Sequence, residues 1–114
     1  MEKNTNLTWD EFSKVEMRVG TILTVEEFIE ARTPAYKMTI DFGGLGIRKT
    51  SAQITVLYAM KELIGKQVIA VVNFPPRQIA TMMSECLVLG GLGDQKEVTL
   101  LEPGMKVKNG TRIG

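Results

Sequence analysis

Tyr36-Lys37-Met38-Thr39-Ile40-Asp41-Phe42 alternates apolar and polar side chains without a break, so one face of the segment is buried and the other is wet. A period of two over seven residues marks a strand of an antiparallel sheet. Gly43, Gly44 and Gly46 follow and predict a hairpin. The chain returns through Ile47 to Ile54 as a second strand, whose Arg48, Lys49, Ser51 and Gln53 make an unusually polar outer face. That face is the first candidate binding surface.

Upstream, Thr8 and Glu11 have the spacing of a capping box, which predicts a short helix with Trp9 and Phe12 on one side. From Val15 the period becomes two through Met17 and Val19, and Gly20 is expected to interrupt the strand with a bend. Glu26, Glu27 and Glu30 read as a solvated acidic loop, because no second group of ligands accompanies them. Downstream, Thr55 is expected to cap a helix carrying Val56, Leu57, Met60, Leu63 and Ile64, with Gly65 at its end. Val68 to Val72 is continuously apolar, as in a strand covered on both faces, and Pro75 with Pro76 ends it. Cys86 to Leu89 forms a further strand that stops at Gly90 and Gly91. The tail adds Val98 to Leu101 and a strand-like piece around Val107 and Ile113.

Three strands, a helix and two strands is the order of an all-β chain of the OB-fold type. It predicts a five-stranded Greek-key β-barrel with a short helix between strands 3 and 4 and short terminal extensions. An SH3-like barrel is the competing architecture. With 114 residues and 44% apolar side chains, residues 1–114 are expected to form a single domain around one core. Residues 1–14 would be a helical N-terminal extension and residues 95–114 a C-terminal one.

Composition also limits function. The chain has no histidine, which removes the usual general base near neutral pH and the commonest neutral metal ligand. One cysteine forms neither an internal disulfide nor a multi-thiolate metal site, and this fits a reducing compartment. No apolar run nears the ~18 residues that span a bilayer, and the start lacks the apolar segment of a signal peptide. We therefore expect a cytoplasmic protein without membrane insertion, cofactor, metal or catalytic activity. A formal charge of +1 is too small for indiscriminate attraction to phosphate, so nucleic-acid binding would rest on a local patch and on shape.

Lys49-Thr-Ser-Ala-Gln53-Ile-Thr, Leu63-Ile-Gly-Lys66, Val72-Asn73-Phe-Pro-Pro-Arg77-Gln-Ile-Ala80 and Ser84-Glu85-x-Leu-Val-Leu-Gly90 occur in order along the chain. Together they resemble the CsaA proteins, part of the tRNA-binding OB-fold group that also supplies the appended domain of methionyl-tRNA synthetases. The likeness runs from about Phe12 to the C-terminus. It implies an OB barrel, a homodimer, binding to the folded elbow of tRNA, and a molecular chaperone activity linked to protein export, with unfolded or pre-secretory polypeptides as partners. The chain departs from the wider group where Pro75 replaces a basic residue and Cys86-Leu87 replaces a Gly-Met pair, as in the CsaA branch.

The expected RNA-binding residues are Arg48, Lys49, Ser51, Gln53, Asn73, Arg77, Ser84 and Glu85. Arg48 and Lys49 are adjacent on a strand and must face opposite sides, whereas Lys49, Ser51 and Gln53 share one face. Asn73 reads equally as a turn residue or a ligand contact. Arg77 could meet phosphate with two parallel donors or form an ordinary ion pair. Glu85 repels phosphate, so its carboxylate suits a base or a 2′-hydroxyl. Met82 and Met83, read as a flexible loop pair, are the candidate peptide-binding residues of an alternative function, a holdase with incidental RNA affinity. Cys86 reads as a small buried apolar residue. Trp9, Phe12, Met105 and Val107 are expected in the dimer interface.

Overall fold

The computed structural model describes residues 5–114. The segment Tyr36–Asp41 is a strand whose apolar residues are buried, as the alternation requires. It is β2, preceded by helix α1 (Trp9–Ser13) and by β1 (Met17–Glu27). A turn of 3-10 helix at Gly43–Leu45 leads into β3 (Ile47–Ala52), then α2 (Met60–Leu63) and β4 (Gln67–Val71). A small hairpin follows, β5 (Arg77–Ile79) and β6 (Met82–Ser84), and then β7 (Leu87–Val88). A second hairpin, β8 (Gly90–Leu92) with β9 (Val98–Leu100), and β10 (Arg112–Ile113) complete the chain.

The main sheet has the order β3-β2-β1-β4-β7, with β10 also on β1, and every pairing is antiparallel. The two ends of this order approach each other. The Glu85 N–H donates to the Lys49 carbonyl at 2.8 Å, and Thr50 Oγ1 donates to the Cys86 carbonyl at 2.8 Å. The sheet is thereby almost closed into a five-stranded barrel, a β1-β2-β3 meander with β4 returning beside β1. This is the OB arrangement and not the SH3-like one. A register shift between Ile22 and Thr24 gives β1 the irregularity that a strand needs to curve around a small barrel.

Ile22, Met38, Ile40, Phe42, Leu63, Val68 and Ala70 fill the barrel. Leu63 enters from α2, which lies between β3 and β4. The linker after it is held by Gly65 N–H to the Ile22 carbonyl at 2.8 Å and Ile22 N–H to the Lys66 carbonyl at 3.0 Å. The C-terminal segment is stitched on by side chains: Gln67 Nε2 donates to the Val107 carbonyl at 2.7 Å, and Thr21 Oγ1 donates to Asn109 Oδ1 at 2.7 Å.

Four local expectations are corrected. β1 does not stop at Gly20. A Cβ there would lie 2.6 Å from the Ile40 side chain and 2.7 Å from the Phe42 ring, so the glycine admits a close approach across the sheet. Helix α2 starts at Met60, not at Thr55. Ala59 is its N-cap, with Glu62 Oε1 accepting the Ala59 N–H at 2.8 Å, and Val56 and Leu57 remain exposed in a preceding turn. Met82 and Met83 lie on β6 and not in a loop. Glu26 and Glu27 are exposed but belong to the end of β1.

Candidate nucleic-acid interface

The β5–β6 hairpin folds back beside β3 because Pro75 and Pro76 prevent β4 from continuing. Arg77 pairs with Ser84 across the hairpin, and this brings both side chains to a cleft of about 260 Å³ that Ser51 of β3 also lines. The apolar part of the lining comes from Phe74, Pro75, Ile79 and Leu87, with buried Cys86 beside them. Among the described residues, Arg77 makes no ion pair and the Ser51 hydroxyl has no hydrogen-bond partner. The Ser84 hydroxyl is engaged, donating to the Cys86 carbonyl at 3.2 Å and lying 3.2 Å from Thr50 Oγ1.

Lys49 sits on the same outer face of β3, but it opens into a neighbouring depression of about 170 Å³ that Thr24, Thr39 and Met82 also line. Gln53, just beyond β3, is exposed and lines neither cleft. Glu85 lines neither cleft and stands at the seam where the chain meets β3. Its Oε1 accepts the Lys49 N–H at 2.8 Å, so one carboxylate oxygen is already used within the protein.

Two of the sequence candidates spend their polar groups on the protein's own backbone. Arg48 faces away from Lys49, as adjacent strand residues must, and its guanidinium donates to the Val72 carbonyl. Asn73 does not cap its own turn. Its Oδ1 accepts the Glu16 N–H at 3.0 Å and its Nδ2 donates to the Lys14 carbonyl at 2.6 Å, so both ends of the amide fix the approach of the N-terminal segment. These partners are 57 and 59 residues away in the chain, beyond any local motif.

Met83 is 43% exposed and Met82 half-buried. Of the expected interface residues, Trp9 and Met105 are 86% and 77% exposed, whereas Phe12 and Val107 are half-buried. Cys86 is buried, and desolvation pushes its thiol up to about 11 against the opposing pull of the Thr50 hydrogen bond and the Arg48 charge. Sequence reasoning missed Phe74, Ile79 and Leu87 as cleft residues. The only available signal was an aromatic placed between Asn73 and two prolines.

The arrangement offers hydroxyls, a free guanidinium and an exposed aromatic ring in one place, a donor set suited to sugar, phosphate and base. Comparison with known proteins agrees with this chemistry. A family model described as "Putative tRNA binding domain" matches residues 17–112. The chaperone CsaA from Bacillus anthracis str. Ames superposes with a TM-score of 0.93 at 47% identity, over 96% of this chain and 100% of that one. A MetRS-related protein from Pyrococcus horikoshii superposes with a TM-score of 0.85 at 27% identity, over the full length of both. Methionine--tRNA ligase 1 of Sorangium cellulosum is 39% identical over 106 residues, which are 93% of this chain but 15% of that enzyme. The chain thus spans a small fraction of the ligases it matches. With the strand order, the cleft and these likenesses in agreement, the chain belongs to the tRNA-binding domain family, in its CsaA-type branch.

Proposed function

We propose that the protein binds folded tRNA at its elbow, as a homodimer, and performs no chemistry on it. The observation that carries this reading is the meeting of Ser51, Arg77 and Ser84 around one cleft, at the seam where Glu85 joins Lys49. Arg77 supplies a fork of donors for a phosphate, and the hydroxyls supply groups for sugar or base. Lys49 and Gln53 extend the contact along the outer face of β3. The second oxygen of Glu85 accepts a 2′-hydroxyl, a group DNA lacks. Arg48 and Asn73 act one step back, by holding the backbone that presents these residues.

With so few cations gathered and a formal charge of +1, affinity rests on fit to a bent RNA and not on a phosphate track. Binding should weaken with salt at a slope of roughly 0.9 per phosphate contacted, for only a few contacts. This reading carries a cytoplasmic location with it, because that is where folded tRNA is met.

Dimerisation is supported by surface. The chain exposes 7971 Å², against roughly 6,200 Å² for a compact monomer of its mass. Part of that excess is apolar surface carried on the terminal segments. Trp9 and Met105, in the terminal segments 1–14 and 95–114, are the exposed apolar groups we assign to the two-fold contact. A gel shift comparing total tRNA with single-stranded RNA of equal length, run beside light scattering, tests both parts. Equal affinity for the unstructured RNA would refute shape recognition, and a monomeric mass would refute the dimer.

A second reading, a holdase for unfolded polypeptide, is favoured by the exposure of Met83 and by the likeness to the chaperone CsaA from Bacillus anthracis. Changing Met82 and Met83 to Ser should then abolish protection of an aggregating client while tRNA binding persists.

A further inference from the structure

We infer that the cleft beside Arg77 holds one unstacked nucleobase, with Phe74 as its stacking platform. This rests on the tRNA-binding reading above and names the group recognised at that site. Phe28 and Phe42 are 3% and 0% exposed, as large apolar rings in a small domain should be, yet Phe74 is 57% exposed. Its exposure is enforced by the backbone. On one side Asn73 is bound through both ends of its amide, and on the other Pro75 and Pro76 restrict the chain to extended conformations. A ring carried on so constrained a segment loses little freedom when a flat partner lies against it.

The rest of the cleft suits the same guest. Pro75, Ile79 and Leu87 give it apolar surface, and among the described residues Arg77 is the only charge in its lining. A nucleotide needs that pairing of a face for its base with a cation for its phosphate. The Ser51 hydroxyl, half-buried and without a partner among the described residues, is placed to bond the base edge. At about 260 Å³ the space is smaller than the roughly 300–1,000 Å³ of pockets for drug-sized ligands. It suits one ring system better than a length of polypeptide, whose apolar side chains would also leave Arg77 without an anion.

The test uses the full chain, total tRNA and three variants at one position. Phe74→Leu keeps apolar bulk without the ring and should weaken tRNA binding roughly five- to 150-fold, the range for loss of one base stack. Phe74→Tyr and Phe74→Trp should bind within a few-fold of the original. The new tryptophan in Phe74→Trp should be quenched by tRNA more strongly than Trp9 alone is in the original protein. Phe74→Leu should leave the salt slope unchanged, since stacking releases no counterions, whereas Arg77→Gln should lower it by about one contact. Full tRNA affinity in Phe74→Leu, or no added quenching in Phe74→Trp, would overturn the base pocket while leaving tRNA binding intact. A cleft serving only polypeptide gives this same result. Failure of the original protein to bind tRNA at all would overturn the broader function and this inference together.

Discussion

Lys49 and Glu85 are joined twice: the Glu85 N–H donates to the Lys49 carbonyl at 2.8 Å, and the Lys49 N–H donates to Glu85 Oε1 at 2.8 Å. The second bond replaces a backbone acceptor with a carboxylate, so a side chain finishes the ladder that closes the barrel. The family-matching Ser84-Glu85 pair thereby acquires a structural duty that its charge alone does not reveal. One residue holds the seam and stands between Ser84 and Cys86, which line the Arg77 cleft.

Glu85→Ala should therefore cost about 1–2 kcal/mol, the scale for losing a hydrogen bond to a charged acceptor at a half-buried site. Glu85→Gln retains an acceptor and should recover most of the loss. Urea unfolding checks this, with the midpoint falling for the alanine variant at unchanged slope. An alanine variant as stable as the original would mean that the seam holds without the carboxylate.

Asn73 ties the end of β4 to the N-terminal segment through Glu16 and Lys14. Asn73→Ala removes both bonds and should destabilise the protein by about 1–3 kcal/mol. The diagnostic effect is local: hydrogen exchange at the Glu16 amide should accelerate more than exchange at Ile40 in the barrel. If Trp9 lies in a two-fold interface, the same change should also raise the monomer fraction in light scattering. Unaltered exchange at Glu16 would show that the N-terminal segment is held by other contacts.

Sequence revealed what depended on period. The alternation of Tyr36 to Phe42 and the apolar run at Val68 to Val72 each follow from how a strand meets one covered face or two, and both strands are where the pattern predicts. What stayed hidden depended on partners far along the chain. Gly20 looks like a strand breaker until Ile40 and Phe42 are seen against it, and Asn73 looks like a turn residue until Glu16 is beside it. The β5–β6 hairpin escaped because its two-residue turn, Ala80-Thr81, lacks the Asn-Gly or Asp-Gly signal of such turns. Within the candidate site, Ser51, Arg77 and Ser84 were legible as polar residues on or near strands. Phe74 was not, because exposure of an aromatic is a property of the folded backbone.

That same turn carries a measurable strain. Ala80 has φ of +49°, in the left-handed region that costs a residue with a Cβ about 1 kcal/mol. Ala80→Gly should relieve it and raise stability by roughly 0.5–1 kcal/mol, a gain of about 2–5 °C in Tm for a chain of this size. Because the hairpin places Arg77 opposite Ser84, tRNA affinity should be retained. A lower melting temperature in calorimetry would show that the turn depends on more than its backbone angle.

Cys86 supplies a prediction in pH. Burial raises its thiol from the usual 9.0 to about 11, so the folded protein keeps a proton that the unfolded chain releases first. Stability therefore falls as pH rises from about 9 and continues to fall until the folded thiol itself ionises near 11. Below that window the contribution is complete. Other groups titrate in the same range, so the measurement is a difference: urea unfolding of the original protein and of Cys86→Ala at pH 8, 9.5 and 10.5. The advantage of the original protein over the variant should shrink with each step, and a constant difference would contradict the raised thiol. A neutral sulfur also matters to the cleft it lines, because a thiolate beside Arg77 would compete with phosphate for the guanidinium. The native thiol should accordingly react slowly with iodoacetamide at pH 8 and quickly once urea unfolds the barrel.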